Sequence, residues 1–161
     1  MDSLPISSCA TLSTLGRDLA LTIQKLHPIF CYIVDSHNQF TWVSLHDCTS
    51  PDPAEWIFLL MVTWRTEAGE DTAALHKHEN NDLRLEELYA RAEHLAYPFR
   101  DMLRAVPRGT KVWYSSPMKY WATKPWDSRG GRVTLAGDAA HSMTFRKSFF
   151  LCCCWSAEAL S

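Results

Sequence analysis

The stretch Gly130 to Phe145, GGRVTLAGDAAHSMTF, decides how this chain is read. Gly130-Gly131 reads as a turn, Arg132 to Ala136 as a short buried strand, and Gly137-Asp138 as its end. Ala139 onward reads as a helix with Asp138 at its N-cap. Gly137 has no side chain, so a ligand can come close to the backbone there. The Asp138 carboxylate can accept hydrogen bonds from sugar-like hydroxyls. A helix start just behind it would aim free N–H groups and a partial positive charge at the same place. A hydroxyl-rich, anionic cofactor fits such a corner. An isolated Gly-Asp pair, however, usually does no more than cap a helix after a strand, so the weight falls on the surrounding residues.

Upstream, Ile29 to Val34 is a β-branched and aromatic run, and Gln39 to Asp47 alternates with Phe40, Trp42 and Ser44 on one side. Asp35 to Asn38 between them is turn-like, which predicts a hairpin. After the Ser50-Pro-Asp-Pro break, Glu55 to Arg65 is almost wholly apolar, the pattern of a central strand covered on both faces. These three runs predict an antiparallel sheet. Leu12, Leu15, Leu19, Ile23 and Leu26 are spaced as on an amphipathic helix, weakened by Gly16. A longer stripe runs from Leu85 through Leu88, Ala92, Leu95 and Phe99 to Val106. Pro98 inside it predicts a kink or a split, because its ring removes a donor and clashes with the preceding turn. Lys111 to Tyr114 reads as one more strand, and Glu67 to Asp82 as a polar loop.

Composition narrows the function. The 161 residues carry 16 basic and 18 acidic side chains and are 47% apolar, which suits a globular core and shows no clustered basic face for nucleic acid. The longest apolar run near the end, Phe149 to Trp155, is too short to span a bilayer, and no targeting segment is visible, so a cytoplasmic location is expected. Cys152, Cys153 and Cys154 are adjacent and cannot converge on an ion as spaced ligands do. His76 and His78 fall in a polar stretch that reads as a solvated loop. No metal site is expected from either group. Acylation at Cys152 to Cys154 would make a membrane-associated protein, the least favoured reading of the cluster.

Trp126 to Phe145, WDSRGGRVTLAGDAAHSMTF, resembles nearly position by position the second flavin-binding motif of FAD-dependent monooxygenases of the aromatic-hydroxylase (para-hydroxybenzoate hydroxylase-like) family. The resemblance extends upstream through His27-Pro28, the PDP turn before Glu55-Trp56 and the long helix. It implies an α+β fold: an antiparallel substrate-domain sheet with a long amphipathic helix, then the Gly-Asp strand and helix start of a truncated FAD-binding domain. The implied division is residues 1–110 for the substrate-domain region, 111–145 for the FAD-binding region and 146–161 for a divergent tail.

The resemblance also implies that Gly137, Asp138 and Ala139 bind the FAD ribityl region. Trp42, Phe58, Met61 and Trp64 are its candidates for the pocket floor, of which only some can face it, since alternate strand residues point to opposite sides. The implied chemistry is hydroxylation or epoxidation of an aromatic or polyketide-like molecule by a flavin peroxide, with NADPH or NADH as reductant and a place in secondary metabolism. The flavin would carry the reaction, so no catalytic side chain is named; His141 takes a structural or flavin-adjacent role. The chain lacks any GxG among its six glycines and the Gly-rich turn that follows the motif in the family. It is therefore expected to bind FAD weakly or not at all by itself, unless a complementing chain supplies the rest. The alternative is a non-enzymatic small-molecule or protein binding module derived from the substrate domain.

Overall fold

A computed structural model describes residues 2–67, 72–76, 79–120 and 125–137. In chain order the elements are β1 (Asp2–Leu4), β2 (Ile6–Ser13), α1 (Arg17–Leu26), β3 (Phe30–Val34), β4 (Phe40–Asp47), a 3-10 turn (Pro53–Glu55) and β5 (Ile57–Arg65). There follow α2 (Ala73–His76), α3 (Asn81–Ala92), α4 (Phe99–Arg104), β6 (Val112–Ser115) and β7 (Met118–Tyr120). They group into two compact units, Ile6–Ser116 and a second made of Met1–Pro5 with Pro117–Ser161.

The larger unit is a five-stranded antiparallel sheet of order β3-β4-β5-β2-β6, with helices against one face. The expected hairpin and third strand form, and β5 is central, between β4 and β2. Alternate β5 residues divide between the faces. Phe58, Leu60, Val62 and Trp64 join Leu85, Leu88, Met102 and Leu103 of the helices in one buried core. Leu59, Met61 and Thr63 point the other way. The long helix is split as Pro98 predicts: α3 ends at Ala92 and α4 starts at Phe99, with a cis Tyr97–Pro98 bond between them.

Helix formation does not begin at Leu12. Leu12 lies in β2, paired with Leu59, and α1 begins only at Arg17, after Gly16 at φ +75°. A left-handed residue cannot sit inside a right-handed helix, so Gly16 separates strand from helix. The polar stretch after β5 is not all loop, because Ala73–His76 closes one helical turn. Around Pro51-Asp52-Pro53, Asp52 caps the 3-10 turn by accepting from the Ala54 amide at 2.9 Å, and its carboxylate also meets Arg17 of α1 at 2.9 Å.

In the smaller unit β1 pairs with β7, Ser3 opposite Lys119. Gly130-Gly131 forms the expected turn: Arg129, Gly130 and Gly131 all have positive φ, and the Val133 amide donates to the Ser128 carbonyl at 3.0 Å. The predicted strand at Arg132–Ala136 does not form. Arg132 belongs to the turn, residues 133–136 are irregular, and Val133 is exposed. A strand needs a ladder partner, and no described strand lies beside this one. No helix among the described residues is long and apolar enough to cross a membrane.

Candidate functional site

The face of the sheet opposite the helices carries a run of aromatic side chains from β3 and β4. Cross-strand pairing places Tyr32 opposite Trp42 and Phe30 opposite Ser44, so these side chains share a face. Trp42 is in turn opposite Met61, and Ser44 opposite Leu59. The Phe30 and Trp42 rings stack at 4.5 Å with planes 7° apart, and Tyr32 is nearly parallel to Trp42 at 6.4 Å. Phe40 closes the group, 5.4 Å from Tyr32 and 6.3 Å from Trp42. On the far side of β5 the same face continues through Ala10, opposite Met61, to Trp113. Phe40 and Met61 are buried, whereas Tyr32 and Trp113 are exposed.

Stacked rings of this kind immobilise one another. Each offset or edge contact adds about 0.5–1.5 kcal/mol beyond area burial, and the result is a stiff, apolar surface. The surface suits a flat organic molecule held by dispersion and ring contacts. Hydroxyls of Ser8, Ser44 and Thr63 are the nearest polar groups in its central rows. Of the four side chains proposed for a pocket floor, Trp42 and Met61 lie on this face. Phe58 and Trp64 lie on the helix side, within the core, where Arg91 stands over the Trp64 ring at 4.2 Å. Phe30, Tyr32 and Phe40 share this face with Trp42 and were not among the four. Their signal is the two-residue alternation on both strands of the hairpin.

The helix side is held by groups the apolar pattern does not show. Arg84 is buried and donates to the carbonyls of Leu75 at 2.7 Å, Val112 at 3.1 Å and His76 at 3.3 Å. It fastens α2 and β6 to α3. Its place four residues before Leu88, on the inner stripe of α3, was the available sign. Tyr89 donates its hydroxyl to the Val106 carbonyl at 2.6 Å. Burial pushes the Cys9 thiol up to about 12, and raises that of Cys31 as well, because neither site solvates a thiolate.

Of the predicted flavin-contact residues, only Gly137 falls among the described ones; Asp138 and Ala139 lie outside them, as does His141. Gly137 has φ +58°, is exposed, and has nothing within 4 Å of the place a Cβ would take. A backbone this open can be approached by a ligand. The described residues around it provide neither a paired strand nor a buried polar group to enclose a dinucleotide. They do not by themselves fit FAD. His76 ends α2, with its ring edge-on to Tyr114 at 5.0 Å, and His78 and Cys152 to Cys154 lie outside the described residues.

The chain is 34% identical over 142 residues to the FAD-dependent monooxygenase cctM of Talaromyces islandicus, which covers 88% of this chain and 34% of cctM. This chain is a relative of the FAD-dependent monooxygenases. It is 36% identical over 94 residues to the FAD-dependent monooxygenase phnB of Penicillium herquei, covering 58% of this chain and 21% of phnB. It is also 29% identical over 154 residues to the FAD-dependent monooxygenase dbaB of Emericella nidulans, covering 89% of this chain and 37% of dbaB. The chain thus spans between a fifth and two fifths of the length of these relatives. The fold matches the crystal structure of a protein provisionally assigned as an FAD-containing monooxygenase from Photorhabdus luminescens, with a TM-score of 0.51 at 15% identity. That match covers 89% of this chain and 39% of the other. No protein-family model matches the chain.

Proposed function

We propose that this relative of the FAD-dependent monooxygenases supplies the substrate-facing part of an enzyme that hydroxylates or epoxidises a small aromatic or polyketide-like molecule. The observation that carries the reading is the stacked group of Phe30, Tyr32, Phe40 and Trp42 on the sheet face turned away from the helices. Residues 1–110 hold the substrate-side region and 111–145 the flavin-side region, save that β6 completes the substrate-side sheet, with 146–161 as a tail. Gly137, Asp138 and Ala139 meet the ribityl chain of FAD where the rest of a nucleotide-binding fold is supplied, and NADPH or NADH is the reductant of the whole enzyme.

The roles of this chain's own residues follow from their chemistry. The aromatic face binds and orients a planar substrate. Its apolar rows exclude water from one side of that substrate, which protects reactive oxygen species from discharge. Gly137 leaves room for close backbone approach. None of these residues moves a proton in this reading.

Two titrations of the purified chain test it. A hydroxylated polycyclic aromatic should quench tryptophan emission saturably, and Trp42→Ala should weaken that binding about tenfold or more, a loss of about 1.4 kcal/mol. Absorbance in the visible should show no stoichiometric FAD before or after addition. Equal aromatic binding by Trp42→Ala would remove the face as the substrate site. A yellow protein holding one FAD per chain would overturn the statement that the described residues do not enclose the cofactor.

A further inference from the structure

We propose that Lys111, Trp113 and Ala10 form a second subsite on the sheet face of the stacked rings, which holds the acidic end of a fused-ring substrate whose other end lies on Trp42. The assignment rests on that face being the substrate side, as proposed above. The antiparallel registers lay its side chains out in rows across the five strands. The middle row runs Tyr32, Trp42, Met61, Ala10 and Trp113. On one flank lie Phe30, Ser44, Leu59 and Leu12, and on the other Val34, Phe40, Thr63, Ser8 and Ser115.

The middle row is tall at both ends and low between them. Adjacent strands stand about 4.8 Å apart, so Met61 and Trp113 are separated by about 10 Å across β2. Between them Ala10 ends at its Cβ and is half-buried, and Trp113 is exposed. The result is a hollow floored by a methyl group and walled by a thioether and an indole. Three strand spacings, about 14 Å, separate Trp42 from Trp113. A flat molecule that reaches from one to the other over Met61 and Ala10 is a fused polycycle rather than a single ring.

The charges on this face choose the occupant. The register carries the Leu12 row on to Lys111, the residue before β6, and its Nζ stands 5.4 Å from the centroid of the Trp113 ring. Lys111 is the one charged side chain of the three rows, which hold no carboxylate. Arg17, Arg91, Arg104 and Arg108 of the same unit bond to carboxylates, and Arg84 to carbonyls. Lys111 is exposed and has no carboxylate partner among the described residues. Asp47, at the end of β4 and outside the rows, is taken up by the Thr49 amide and hydroxyl at 2.9 Å each. The chain as a whole has a net charge of -2, so the basic sign here is local. The cation–π contact holds the ammonium at the aromatic wall, where it complements a carboxylate or phenolate carried on the bound rings.

The test titrates the full chain with anthracene-2-carboxylate and with its neutral amide, followed by quenching of tryptophan emission. At low ionic strength the acid should bind about threefold or more tighter than the amide, and about 0.5 M salt should narrow the gap. Lys111→Gln should bring the acid down to the amide's affinity and leave the amide unchanged. Arg65→Gln removes an exposed basic group at the other end of the same face and should leave the gap as it is. Ala10→Leu fills the hollow and should weaken both probes about tenfold, with its thermal midpoint read alongside to show that it is folded. Saturable binding of both probes without a gap overturns the subsite while the aromatic face stands. A gap that survives Lys111→Gln, or that Arg65→Gln closes, does the same, as does undiminished binding by a folded Ala10→Leu. No saturable binding of either probe, or equal binding by Trp42→Ala, overturns both the subsite and the face.

Discussion

Replacing Arg84 by alanine should destabilise the larger unit by about 3–4 kcal/mol. The guanidinium makes two good bonds, to the Leu75 carbonyl at 2.7 Å and the Val112 carbonyl at 3.1 Å, and a longer one to His76 at 3.3 Å. A hydrogen bond to a charged group is worth about 1.5–3 kcal/mol, so the two good ones set a range of about 3–6 kcal/mol. The lower half applies because the bond to Leu75 is only partly buried, and water can replace the lost donor there. The bond to Val112 is buried, and its carbonyl would be left without that donor. Against a total stability of about 5–15 kcal/mol for a domain, this is a large fraction. Arg84→Lys keeps the charge but lacks the planar fork, and should recover less than half of the loss. Urea unfolding followed by tryptophan emission measures all three proteins. If Arg84→Ala lies within about 0.5 kcal/mol of the parent at equal slope, the clamp is not holding α2 and β6 to α3, and the reasoning fails.

Other expectations follow from the same geometry. Phe58→Ala, which empties a fully buried core position, should cost about 3–5 kcal/mol, whereas Trp42→Ala should shift the unfolding midpoint less while weakening aromatic binding; the pair separates packing from ligand contact in one set of urea curves and quenching titrations. Tyr89→Phe should lose about 1 kcal/mol in the same curves, because the Val106 carbonyl loses its donor at 2.6 Å. Cys9 has a folded value of about 12 against an ordinary 9.0, so the unfolded thiol ionises first as pH rises. Stability from this group is therefore complete below about pH 9 and falls by up to about 1.4 kcal/mol per unit between there and pH 12. Cys9→Ala should show a flatter decline over that window, and an identical pH profile for both proteins would contradict the burial of the thiol.

Much of the hairpin and its neighbour was legible because their side chains alternate or run apolar on strands covered from one or both sides. The break at Pro98 was legible because proline chemistry is local. β2 was not. Its Ser7, Ser8, Cys9, Ala10 and Thr11 are small and lie between two strands bearing Met61, Trp64, Trp113 and Tyr114, so they show no hydrophobic period at all. Apolar bulk there sits on the neighbours, and a single chain segment cannot announce that. Trp42 and Met61 share the helix-free face, but the sequence offered them only in a mixed set with Phe58 and Trp64, since parity fixes which residues go together and not which side the helices take. Gly137 was singled out by its motif, and the strand expected before it depended on partners the described residues do not supply. The row from Trp42 through Met61 and Ala10 to Trp113 joins segments far apart in sequence and leaves no local signature.

The position of β2 also has a consequence for the order of assembly. It precedes every other strand of its sheet, yet it is enclosed only when β5 and β6 arrive on its two edges, with Ser8 finally opposite Ser115. At about 5–20 residues per second, a ribosome needs several seconds to deliver the closing strand. During that interval the β3–β4–β5 meander can form from local contacts, while the Ser- and Thr-rich early segment stays soluble and unpaired. Its small, polar side chains make waiting safe: the strand that must be exposed longest is the one with the least apolar surface to hide.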